Sequence, residues 1–174
     1  MCVAAQKLAA DGYISIAGPG SPAGKVILEQ LRAQAPPDLM KQVEEIVASL
    51  ERGQLVANTP PQLAALFRNS VQPYLISWLK YDPAAEIAKL KKPVLILQGD
   101  TDVQVHVADA KLLAAAQPAG KVVIVNGMNH VFKLVEAGRA QQLASYGDPT
   151  LPVAPKLITE VADFVKAVSG GTTR

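Results

Sequence analysis

Residues 94–105 read VLILQGDTDVQV. The apolar run opened by Pro93 and closed by Gly99 has the length and composition of a buried strand. Gly99-Asp100-Thr101-Asp102 is an acidic turn that ends it. A carboxylate at the end of a buried strand is costly unless a positive or hydrogen-bonding group faces it. The candidate partner stands 28 positions later. A second strand, KVVIVNG (Lys121 to Gly127), runs into the turn NGMNHVFK, which carries His130. Between the strands HVADAKLLAAAQ is helical, with Leu112 and Leu113 expected inward. Strand, helix, strand at these lengths implies a right-handed crossover and a parallel sheet. Catalytic groups gather at the carboxyl ends of such strands. Adjacent strands would therefore set Asp102 beside His130, where a carboxylate fixes the imidazole tautomer and stabilises its protonated form.

Upstream, MCVAAQKLAA is compatible with a helix, broken at Asp11-Gly12. YISIA (Tyr13 to Ala17) is a short strand, and GPGSPAG (Gly18 to Gly24) is a loop by its Gly and Pro content. Residues 25–81 turn helical. Ile27, Leu28 and Leu31, then Leu39, Val43, Ile46, Val47 and Leu50, recur at helical spacing. PPQLAALF and VQPYLISWLKY follow as helices, the latter expected to be buried around Trp78. DPAAEIAKL starts another, with Asp82 as cap and Pro83 in its first turn. A long loop through Gly147, Asp148 and Pro149 leads to APKLITEVADFVKAVSG. The apolar face of that last helix is Leu157, Ile158, Val161, Phe164 and Val165. The fold class is α/β. Residues 1–24 and 82–174 form the core, and residues 25–81 are a helical insertion.

The 174 residues suit a soluble globular chain: 49% are hydrophobic and 18% charged, with a formal charge of +2 and no basic run. Nucleic acid and membrane surfaces are poor partners for such a surface. Cys2 is the single cysteine, so no internal disulfide forms and cytoplasm is the expected compartment. The opening residues lack a signal-peptide pattern. The two histidines, without a Cys or carboxylate cluster, make no metal site, and the glycines of GPGSPAG do not form G-x-G-x-x-G. No cofactor is expected.

The stretch from DPAAEIAKL through GDTDVQV to NGMNHVFK resembles the C-terminal part of an α/β-hydrolase of the esterase/lipase or serine-aminopeptidase type. In that family a strand ending G-x-x-D supplies the triad acid, and a later Gly-x-x-His turn supplies the base. Gly99-Asp100-Thr101-Asp102 and Gly127-Met128-Asn129-His130 match both. The resemblance extends back to YISIA, similar to the family's sixth strand, and to residues 25–81, similar to its helical cap. It implies a partial α/β-hydrolase fold, three parallel strands (family strands 6, 7 and 8) with flanking helices and a cap. It also implies Asp102 and His130 as catalytic residues.

The family's serine sits in a G-x-S-x-G elbow, and no such pentapeptide occurs here. The resemblance begins just after that elbow, so the oxyanion donors belong to the unmatched half. Removing a triad serine costs on the order of 10⁶ in turnover. The expected activity is hydrolysis of small acyl esters by a weakened or altered mechanism, His130 acting as base on water or on a serine such as Ser21. Ser21 reads equally as a turn residue, and Cys2 as a packing residue rather than a thiol nucleophile. His106 reads as a helix-start residue, Met128 as a pocket wall, and Trp78 and Tyr81 as cap core. The strand Tyr13 to Ala17 would be an open sheet edge. Two copies pairing antiparallel about a two-fold axis would make a homodimer. A non-catalytic dimeric module, or one subunit of a split hydrolase, are the other readings the sequence leaves open.

Overall fold

The computed structural model describes residues 2–32, 35–136 and 138–170. The chain divides into two compact units, one boundary falling between Gly20 and Ser21 and the other between Asp82 and Pro83. The first unit is a three-layer α/β structure built on a parallel sheet. Its strands are β1 (Tyr13–Ile16), β2 (Val94–Gly99) and β3 (Lys121–Val125), in the order β1-β2-β3. Tyr13 lies opposite Val94, and Leu95 opposite Lys121.

The central strand explains the layering. All six residues of β2 are buried, as a strand covered on both faces requires. Its side chains alternate. Val94 and Ile96 join Ala5, Ile87, Leu90, Ala110 and Leu113 on one face. Leu95 and Leu97 join Val123, Val125, Met128, Ala154 and Leu157 on the other. Each Val, Leu, Ile or Met side chain among them contributes roughly 1.5–3 kcal/mol through burial. The helices of this unit are α1 (Cys2–Lys7), α6 (Pro83–Ile87), α7 (Val107–Ala116), α8 (Arg139–Tyr146) and α9 (Pro155–Gly170).

The second unit, Ser21–Asp82, holds α2 (Ala23–Arg32), α3 (Pro37–Glu51), a 3-10 turn (Pro61–Leu63), α4 (Ala64–Phe67) and α5 (Gln72–Leu79). Its own core is formed by Ile27, Met40, Val43, Ile46, Val47, Leu50, Leu63, Phe67, Leu75 and Leu79. Gln72 is fully buried in it. Its amide accepts from Val56 N–H at 2.8 Å and donates to the carbonyls of Val56 at 2.9 Å and Phe67 at 2.8 Å. That clip holds the irregular segment after α3, where Gly53 turns the chain at φ +77°.

Several local expectations need correction. Helix α1 ends at Lys7, three residues before the end of the Ala-rich run. Strand β1 ends at Ile16 because Ala17, although its N–H still bonds Leu97 O at 2.9 Å, turns to φ +49°. On α5 the buried side chains are Gln72, Leu75 and Leu79, whereas Tyr74 is 67% and Trp78 37% exposed and their rings pack on each other. Leu112 is exposed and only Leu113 faces inward. Ile158 and Val165 of α9 are exposed too, leaving Leu157, Val161 and Phe164 as its packed side. Part of the segment expected as a long loop is helix α8.

Candidate active site

Two turns at the carboxyl ends of β2 and β3 build the site. Gly99 closes β2 where the second turn crosses it: a Cβ there would overlap Met128 O. Only glycine permits that approach. Thr101 N–H reaches Met128 O at 3.3 Å, and Gly127 N–H reaches the Asp100 carboxylate at 2.6 Å. Asp100 thus fastens one turn to the other.

Asp102 sits within this frame, its side chain wholly buried. One carboxylate oxygen, Oδ1, accepts the N–H groups of Gln104 at 2.8 Å and Val105 at 3.0 Å. The other, Oδ2, lies 3.0 Å from His130 Nδ1 and 3.2 Å from Gln98 Nε2. Four donors on two oxygens fill the acceptor capacity of an ionised carboxylate. Buried charge is tolerated when satisfied in this way. The arrangement assigns the imidazole proton to Nδ1, leaving Nε2 with a lone pair. The His130 ring is 30% exposed. Its anchored edge is therefore inside, and part of the ring is open to solvent.

The turn that carries His130 is held from the opposite side. Asn129 is fully buried; its side-chain oxygen accepts from Val131 N–H at 3.1 Å and Lys133 N–H at 3.0 Å. Its amide donates to Ser145 Oγ on α8 at 2.7 Å, and Ser145 Oγ donates to Gln142 O at 2.6 Å. Lys133 Nζ caps the far end of α8 on the carbonyls of Ser145 and Asp148. These bonds hold Phe132 at φ +66°, a conformation that needs such support.

Asp102 and His130 are thus together, as their spacing implies. Ser21 falls at the start of the helical unit and is buried. Cys2 donates its thiol to Tyr13 Oη at 3.0 Å. Burial, and then that contact, push the Tyr13 phenol well above its ordinary range. His106 precedes α7, its N–H donating to the Asp109 carboxylate at 3.2 Å. Asp109 also takes Gly20 N–H at 2.9 Å. Met128 is core rather than pocket wall. Sequence reading missed Gln98, Asn129 and α8. A polar residue at the end of an otherwise apolar central strand was the available signal for Gln98.

The three parallel strands, with an acid after the second and a histidine after the third, have the order and connection that the resemblance of the sequence to an α/β-hydrolase implies. No family model and no curated protein matches the chain. Among solved structures it is similar to BpoC of Mycobacterium tuberculosis H37Rv, assigned as a non-heme bromoperoxidase. That match has 16% identity, a TM-score of 0.43, and covers 96% of this chain and 64% of the other. E-2-(acetamidomethylene)succinate hydrolase matches at 20% identity and TM-score 0.41, covering 83% and 60%. The esterase RhEst1 from Rhodococcus sp. ECU1013 matches at 19% and 0.39, covering 91% and 56%. The chain spans less than two thirds of the length of each. Among the described residues no helix is long and apolar enough to cross a membrane.

Proposed function

We propose that this chain carries the acid–base pair of a hydrolase acting on small acyl esters. The observation that supports this most directly is the 3.0 Å contact between a fully buried Asp102 and a partly open His130. In that arrangement His130 Nε2 removes a proton from the attacking oxygen, supplied by water or by a serine hydroxyl. The oxygen adds to the ester carbonyl while Asp102 stabilises the imidazolium. Collapse of the tetrahedral intermediate expels the alkoxide, which takes the proton back from Nε2; where a serine attacked, water activated by the same Nε2 then displaces the serine from the acyl group and releases the acid. A positioned general base contributes about 10²–10⁴-fold. Hydrolysis of p-nitrophenyl acetate by the chain, compared with His130→Ala, tests the reading. Activity that the variant retains in full contradicts it. Labelling by a fluorophosphonate would assign the attack to a serine, and its absence to water.

A second feature favours an assembly role. Tyr13 N–H and Ala17 N–H both bond toward β2. By strand alternation the backbone groups of Ile14 and Ile16 point away from it. No charged residue lies on β1, so the edge suits pairing with another strand. Two copies joined antiparallel through β1 would form a homodimer. A monomer by light scattering contradicts that assembly.

A further inference from the structure

Gln98 stands where the strand period puts a side chain on the same face as Val94 and Ile96, both core residues. It is buried nonetheless, and its Nε2 meets three acceptors: Val105 O at 2.8 Å, Gly99 O at 3.2 Å and Asp102 Oδ2 at 3.2 Å. The reversed amide would set an oxygen against those same three acceptors, so the donor orientation is the satisfied one. An apolar residue would fill this place in a strand whose other residues are Val, Leu, Ile and the closing Gly99. The amide contributes a hydrogen bond to the oxygen that also holds His130.

We propose that Gln98 is a positioning residue for the acid–histidine pair: its amide locks the Asp102 carboxylate plane and shares Oδ2 with His130 Nδ1–H. The inference rests on the hydrolase reading for its consequence in turnover, and on geometry alone for its effect on the ring. A donor on Oδ2 draws charge from the oxygen that stabilises the imidazolium. Without it, Asp102 becomes a stronger partner for His130⁺ and is freer to rotate. Several other titratable groups belong to the turns and elements here. Asp100 is bound to Gly127 N–H, and Asp109 to His106 and Gly20 N–H. His106 stands before α7, and Lys133 is occupied by carbonyls of Ser145 and Asp148. Gln98 is the neutral side chain that touches the carboxylate itself.

The test is the NMR titration of the two histidine rings in the wild type and in Gln98→Met, which keeps the volume and removes the donor. His130→Ala assigns the signals. The His130 titration is expected to move to higher pH by about half a unit or more, while that of His106 stays in place. Where p-nitrophenyl acetate turnover depends on His130, kcat should fall about tenfold with little change in KM, and the rate profile should shift in the same direction. A denaturant midpoint that falls while the His130 titration stays unmoved would show Gln98 to be structural only, and the proposal would be overturned. If Gln98→Met does not fold, Gln98→Glu supplies the same readout: its added negative charge should move His130 upward further still. No movement in Gln98→Glu also overturns the proposal. Loss of the esterase reading would remove the kinetic arm and leave the ring titration to decide.

Discussion

Gln72 and Gln98 are buried glutamines, one in each unit, that make several hydrogen bonds, and their two networks end differently. Gln72 in the helical unit closes on neutral backbone groups of Val56 and Phe67. Once satisfied, that network has nothing to exchange with solvent. Gln98 in the sheet unit closes on Val105 and Gly99 carbonyls but also on a carboxylate, and the carboxylate leads to an imidazole that reaches the surface. Equal burial serves a loop clip in one unit and, on the proposed reading, an acid–histidine pair in the other. On that reading the terminus of a buried polar network, rather than its depth, separates scaffold from chemistry.

The sharpest way to break the sheet-unit network is to deny its frame. Gly99→Ala places a methyl directly against Met128 O. The expected loss is about 3 kcal/mol or more, read as a collapse of the urea midpoint or failure to fold. Asp102→Asn keeps the shape but removes the charge and permits the wrong histidine tautomer. His130-dependent ester hydrolysis should fall at least about 100-fold with the far-UV circular dichroism unchanged.

The two glutamines then test the comparison itself. Gln72→Leu strands the carbonyls and N–H it serves and should cost about 2–4 kcal/mol, with activity per folded molecule intact. Gln98→Met should cost less stability and more turnover. Equal kinetic effects of the two would erase the distinction.

The smallest expected effect is alkaline. Tyr13 has a folded-state pKa raised above its unfolded value, chiefly by burial, so the neutral phenol stabilises the fold. That contribution is full below about pH 10, where the unfolded phenol begins to ionise, and is lost as pH climbs toward the folded value. Urea midpoints measured from pH 8 upward should decline less steeply for Tyr13→Phe than for the wild type above pH 10.

Much of the sheet was legible because its signals are local. A six-residue apolar strand ending in glycine, and a second one of similar length 27 positions on, fix the period and the parallel connection. The meeting of Asp102 with His130 was legible for the same reason, each lying a few residues beyond a strand end. What was not legible depends on tertiary contact. Helix α8 has a weakly apolar sequence, and its buried residues are polar: Gln142 and Ser145 are held by hydrogen bonds to Glu136 O and Asn129. Hydrophobic periodicity has nothing to register there. Trp78 and Leu112 failed in the opposite sense, since a large apolar side chain carries no statement of which face the core will take.

The most direct test of the account is p-nitrophenyl acetate hydrolysis by the purified chain beside His130→Ala, with both shown to be folded. The account predicts a rate above buffer that falls to the buffer rate in the variant. Equal rates for the two proteins would contradict it and leave Asp102–His130 as a buried structural pair.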